Sequence, residues 1–186
     1  MRAIALTTLL LTLGTAHADD LVVTGNPDAS SCYQATMLPD AVAAASIASC
    51  NTALGTRRTT RRERASILVN RGILYNHMGE YAAALEDFEV ALELIAHFPE
   101  AYINRGNAYF YTGQVGRAIA DYNRALQRRS TKQHTAYFNR GLANESRQQP
   151  DLAFADFVRA NELKPAWGLA AGRVEHYRKQ GYKLPH

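Results

Sequence analysis

The chain has 186 residues, 47% of them hydrophobic, and a formal net charge of +4 at pH 7. That length suits one domain with a continuous core, and so small an excess of base argues against nucleic acid as a partner. No glycine-rich phosphate loop, nucleophile elbow or Cys-x-x-Cys pair occurs, so nothing points to an enzyme.

Residues 1–18 read as a leader. Arg2 supplies a short positive start, residues 3–13 an apolar run, and Ala16-His17-Ala18 a small-x-small cleavage site. The run is too short to anchor a mature protein across a bilayer. Cleavage would leave Asp19 first, in a bacterial periplasm or outside the cell. Cys32 lies too far from the run for lipid attachment. Residues 19–28 are expected to be a flexible N-terminus.

Residues 29–56 predict a worn helix hairpin. The segment 46–54 (SIASCNTAL) echoes 118–126 (AIADYNRAL), with Cys50 in the place of Tyr122. Cys32 and Cys50 are the two cysteines of the chain, and this register puts them on facing helices. Even count and export predict a disulfide between them. A basic cluster follows: Arg57, Arg58, Arg61, Arg62 and Arg64. Thr60 and Glu63 fit a capping box that starts a helix, which leaves the arginines without an evident structural task.

From residue 65 one phrase recurs: Asn70-Arg71-Gly72, Asn104-Arg105-Gly106 and Asn139-Arg140-Gly141, the glycines 34 and then 35 residues apart. Each is preceded by Leu68, Tyr102 or Tyr137, and followed by Ala84/Phe88/Ala91, Ala118/Tyr122/Ala125 or Ala153/Phe157/Ala160. The matches fall in two amphipathic runs per unit, and Gly79 and Gly113 lie between the runs, where a helix ends. Each unit is thus a helix hairpin: 65–98, 99–132 and 133–165. Asn144 and Gln148 stand in the third where Tyr75/Tyr109 and the two glycines stand in the others. Tyr177 and Gly181 repeat the Tyr75/Gly79 spacing, so residues 166–186 predict a first helix with a wet face (Arg173, Glu175, Arg178, Lys179) and a tail, capping the stack.

This pattern, Leu68…Gly72…Tyr75…Ala84…Phe88…Ala91 and its two copies through Pro165, resembles the tetratricopeptide repeat family over about residues 65–165. The resemblance implies an all-α fold, a right-handed superhelix of stacked antiparallel hairpins. It also implies that the first helices line a concave face, where an asparagine often hydrogen-bonds the backbone of an extended peptide. The groove set on this reading is Asn70, Ile73, Asn104, Asn107, Phe110, Phe138, Asn139 and Leu142, with Val69, Asn76, Ile103 and Glu145 on the same face. An amide suits this work because it donates and accepts at once. The groove places hold no Lys or Arg, so capture of a terminal carboxylate there is not expected.

Other repeated residues read as scaffold. Asp87, Asp121 and Asp156 recur in phase with Arg71, Arg105 and Arg140 and are expected to form an Arg/Asp ladder. Phe88, Tyr122 and Phe157 are expected to fill the widest gap of each hairpin. Between Glu80 and Glu100 six acids occur without a Lys or Arg, a strip that reads as a solvated face or as a guide for a basic partner. The six histidines show no metal-ligand spacing, so neither metal nor cofactor is expected. The resulting expectation is an exported, non-enzymatic scaffold that binds a protein segment in its groove. The rivals are a component of a cell-envelope assembly or secretion machine that uses its outer surfaces, and an enzyme of unrecognised type.

Overall fold

The computed structural model describes residues 26–37, 43–57, 59–127 and 130–183; the predicted leader lies outside them. The described residues form nine helices and no strand: α1 (Pro27–Ala35), α2 (Ala43–Gly55), α3 (Arg61–His77), α4 (Tyr81–Leu94), α5 (Pro99–Tyr111), α6 (Val115–Leu126), α7 (Gln133–Ser146), α8 (Pro150–Leu163) and α9 (Gly168–Lys179). Each helix packs on the next, and the odd helices α1, α3, α5 and α7 also touch one another in turn. The first helices therefore form the inner layer of a superhelical stack and the second helices the outer one. No helix among the described residues is long and apolar enough to cross a membrane.

One contact explains the period. The ring of Phe88 lies so close to Gly72 that a Cβ there would sit 2.6 Å from its Cε1. Tyr122 stands the same way over Gly106, and Phe157 over Gly141 at 2.7 Å. All three rings are fully buried, and Ala84, Ala118 and Ala153 let the second helix approach. Any side chain at the glycine would push the ring out, so glycine and aromatic recur as a couple. In α9 the place three residues before Tyr177 belongs to Val174, which is itself buried.

The turns inside the hairpins use left-handed residues. Gly79 and Gly113 have φ of 76° and 75°, and Gly181 after α9 has 90°. The third hairpin forces the same conformation on Gln148, at φ 59°. A side chain at such a φ crowds its own carbonyl, which is why glycine usually holds the place.

The N-terminal hairpin is closed by a bond. Cys32 on α1 and Cys50 on α2 form a disulfide with their Cα atoms 4.9 Å apart, packed against Ile67 and Leu74 of α3. The next helix starts as expected: Thr60 Oγ1 accepts from the Glu63 N–H at 3.2 Å, and Glu63 Oε2 accepts from the Thr60 N–H at 2.6 Å.

Candidate functional site

The inner layer is a polar seam sealed inside the stack. Asn70, Asn104, Asn107 and Asn139 are at most 2% exposed, and Ile73, Phe138 and Leu142 at most 3%. Of the groove set, Phe110 alone is half-buried. The expectation that these side chains line an open trough is therefore corrected: apart from Phe110 they are buried between packed helices. Adjacent first helices pack directly on one another, and a face that would be wet on a lone helix is covered by its neighbours.

The amides are spent on one another and on the backbone. Asn139 Nδ2 donates to Asn107 Oδ1 at 2.8 Å, and the Tyr122 hydroxyl donates to the same oxygen at 3.0 Å. Asn104 Nδ2 donates to the Glu100 carbonyl at 2.9 Å, and Asn76 Nδ2 reaches the Asn104 carbonyl on the next first helix at 3.1 Å. The Asn139–Asn107 and Asn76–Asn104 bonds tie consecutive repeats. Truncating Asn107 would remove the oxygen that accepts from Asn139 and from the buried Tyr122 hydroxyl, a change felt in folding before it is felt in binding. Burial also pushes the Tyr122 hydroxyl well above its ordinary pKa, so it stays a donor.

The accessible row lies one helical turn further along. Four residues after each glycine stand Asn76, Phe110 and Glu145, all half-buried. Asn76 Oδ1 is buried and has no hydrogen-bond donor in the structure. Beside Phe110, Tyr111 is 43% exposed; it stacks on Tyr81 of α4 with ring centroids 5.5 Å apart. Glu145 is engaged by Tyr177 Oη at 3.0 Å and Arg173 at 3.3 Å. Arg173 thus bridges to α7 and is half-buried, where a wet position was expected for it; Glu175, Arg178 and Lys179 are exposed.

The Arg/Asp ladder is present. Each guanidinium forks onto the aspartate of its own hairpin: Arg71 on Asp87, Arg105 on Asp121 and Arg140 on Asp156, with six bonds of 2.6–3.0 Å. Arg71 and Arg140 also donate to Asn51 and Asn123 on the preceding second helix. Burial lifts the Asp87 and Asp156 carboxyls above their ordinary range while the arginines pull the other way, as expected for charges held away from water. In the third hairpin Asn144, at the tyrosine place, donates to Asp156 Oδ2 at 3.0 Å. Asp87 thereby leaves the acid strip, and Glu86, Glu89 and Glu93 remain exposed on α4.

Two arginines of the basic cluster prove structural. Arg61 donates to the Glu93 carbonyl at the end of α4 and Arg64 to the Leu54 carbonyl at the end of α2, at 3.2 and 3.1 Å. Both satisfy carbonyls that a helix end leaves open. Nothing local in the sequence signals this, because both partners are remote in the chain.

Two stretches of the chain match family models described as tetratricopeptide repeat, residues 65–97 and 99–132. Among solved structures, a thermophilic tetratricopeptide repeat protein of Thermus thermophilus superposes with a TM-score of 0.65 at 17% identity, over 79% of this chain and 77% of that one. The Arabidopsis OM64 repeat domain gives 0.60 at 25% identity, over 65% and 99%. The first repeat domain of Spaghetti (RPAP3), solved with the HSP90 peptide SRMEEVD, gives 0.59 at 25% identity, over 64% and 94%. No curated protein sequence matches the chain.

Proposed function

This chain is a tetratricopeptide repeat protein, built as a protein-interaction scaffold, and on that premise we propose that it is an exported, non-enzymatic adaptor that holds an extended protein segment along its inner face. The observation that carries the reading is the aromatic step formed by Tyr81, Phe110 and Tyr111 at the accessible edge of the inner layer. Tyr111 is exposed and is backed by the half-buried rings of Tyr81 and Phe110, and an aromatic held this way on a rigid scaffold is a common anchor for a partner's side chains. The peptide in the RPAP3 complex supports this mode by analogy. Export is supported by the leader-like pattern of residues 1–18 in the sequence and by the Cys32–Cys50 disulfide, a bond that persists in an oxidising compartment.

A photo-crosslinking residue at position 111 tests the inner face, with one at Leu152, exposed on outer helix α8, as comparison. The adaptor reading expects a partner segment joined at 111 and lost in Phe110→Ala, with the helical content of the variant retained by circular dichroism. Adducts confined to 152 would replace it with the envelope-machine reading. N-terminal sequencing of protein from the periplasmic fraction should begin at Asp19; Met1 intact on cytoplasmic protein would overturn export.

A further inference from the structure

Antiparallel hairpins return the chain to the same edge of the stack each time, so the starts of α3, α5, α7 and α9 lie side by side there, next to the ends of the second helices. Contacts from one unit to the next hold this edge together. Arg64 reaches the Leu54 carbonyl and Arg61 the Glu93 carbonyl. The Ser130 hydroxyl donates to Glu100 Oε1 at 2.9 Å, and the His134 ring meets Trp167 at the head of α9.

The edge is basic along its length and apolar at one end. Arg57, Arg61, Arg62 and Arg64 are exposed around the start of α3. Lys132 and Lys164 lie further along, both close enough to His134 to oppose its protonation. Three acids of the edge are engaged: Glu63 in the cap of α3, Glu100 by Ser130, and Glu162 by Arg159 at 2.9 Å. Glu93 is exposed, and Asp28 at the start of α1 is half-buried. At the α8–α9 turn the Trp167 N–H donates to the Lys164 carbonyl at 2.9 Å. Leu163 and Leu169 flank this turn, 40% and 48% exposed. Pro165 and Ala166 are exposed between them, and Trp167 is half-buried against the Phe138 ring at 4.8 Å.

We propose that this edge rests on an anionic lipid bilayer, with the α8–α9 turn entering the headgroup layer and the arginines of α3 lying on its surface. The shape favours lipid over a protein. Leu163 and Leu169 project from a turn, and a fluid bilayer receives projecting apolar side chains, whereas a protein must supply a matching hollow. The cations are spread from α3 to α9, which suits a surface of even negative charge and not a single acidic spot. A tryptophan on an apolar body with lysines beside it is the side-chain set found at a membrane–water boundary. Tyr111, at the far end of α5, stays clear of this edge, so the inference does not depend on the inner-face reading.

The test uses the chain from Asp19, which keeps every described residue and lacks the apolar run of residues 3–13, itself able to enter lipid. Vesicles of equal parts phosphatidylglycerol and phosphatidylcholine are compared with vesicles of phosphatidylcholine alone. Cosedimentation should show at least about tenfold tighter binding to the anionic vesicles, weakening as salt rises. Emission of Trp167, the sole tryptophan, should move to shorter wavelength on binding and be quenched by brominated lipid. Affinity should fall about tenfold or more in Arg57→Gln/Arg62→Gln/Lys164→Gln, and by a similar factor in Leu163→Ser/Leu169→Ser. Val90→Ser/Leu152→Ser, on outer helices, should bind as the parent does. Circular dichroism checks that each variant keeps its helical content. No binding, equal binding to both vesicles, or bound protein whose Trp167 is not quenched overturns the proposal. So does unchanged affinity in either of the first two variants, or an equal loss in the outer-helix one.

Discussion

The α5–α6 hairpin and the α1–α2 hairpin close the same gap by different chemistry. In the first, the Tyr122 ring lies on Gly106, and its hydroxyl donates to Asn107. In the second, Cys50 takes the ring's place and is bonded to Cys32. The positions of the hairpins account for the choice. α5–α6 has neighbours on both sides, so a ring there is removed wholly from water. Among the described residues α1–α2 packs chiefly on α3. Apolar closure yields free energy in proportion to area buried, and an end unit buries less. A covalent link acts by restricting the unfolded chain and does not need a second neighbour.

That contrast is most severely tested at the ring. Tyr122→Ala should cost ~3–5 kcal/mol by urea denaturation, since it opens a cavity at the centre of the stack. Gly106→Ala should cost ~1–3 kcal/mol, because its Cβ displaces the same ring. A loss below about 1 kcal/mol from either change would contradict the coupled role given to ring and glycine. Reduction of Cys32–Cys50, 18 residues apart, comes next at ~3 kcal/mol in the chain-entropy account. Its signature is local: hydrogen exchange should quicken in α1 and α2 while α5 to α8 keep their protection. Uniform loss would mean that the end hairpin supports the whole array.

A smaller effect has the opposite sign. Gln148→Gly should stabilise by about 1 kcal/mol, since it relieves a left-handed φ that the first two hairpins give to glycine. A destabilised variant would show that the Gln148 side chain contributes more than its strain costs.

The smallest effect concerns His134, whose ring stands edge-on to Trp167 at 5.2 Å. Burial, then Lys164, lower its pKa below the ordinary 6.5, with Lys132 adding to this and a bond to the Thr131 carbonyl opposing. The folded state therefore takes up this proton at lower pH than the unfolded chain does. The stability tied to the neutral ring is whole above pH 6.5 and is lost as pH falls through the folded value. Trp167 is the sole tryptophan, so its emission reports the step. A transition with its midpoint below 6.5 that vanishes in His134→Gln is expected; a midpoint at or above 6.5 would oppose the assignment.

What could be read from the sequence was what repeats. The glycine–aromatic couple, the small residues beside it and the Arg/Asp phase each appear three times, so their structural roles stood out from chance. Cys50 was legible for the same reason, as a departure at a known place. The floor of the inner layer was not. Helical periodicity puts Asn70, Asn104 and Asn139 on one face, and polar type suggests water; neither measures how closely the next first helix approaches. The tasks of Arg61 and Arg64 were hidden as well, because a guanidinium that closes another helix leaves no local spacing to detect.

Val174 gives the array a rule of arithmetic. Each unit that carries glycine at the corresponding place admits a ring from its own second helix, and the count goes up by one. A valine there leaves no room for a ring lying as Phe88, Tyr122 and Phe157 lie on their glycines, so a unit built on α9 would need a different contact. An engineer wishing to lengthen the array would therefore restore glycine at position 174 before grafting another hairpin.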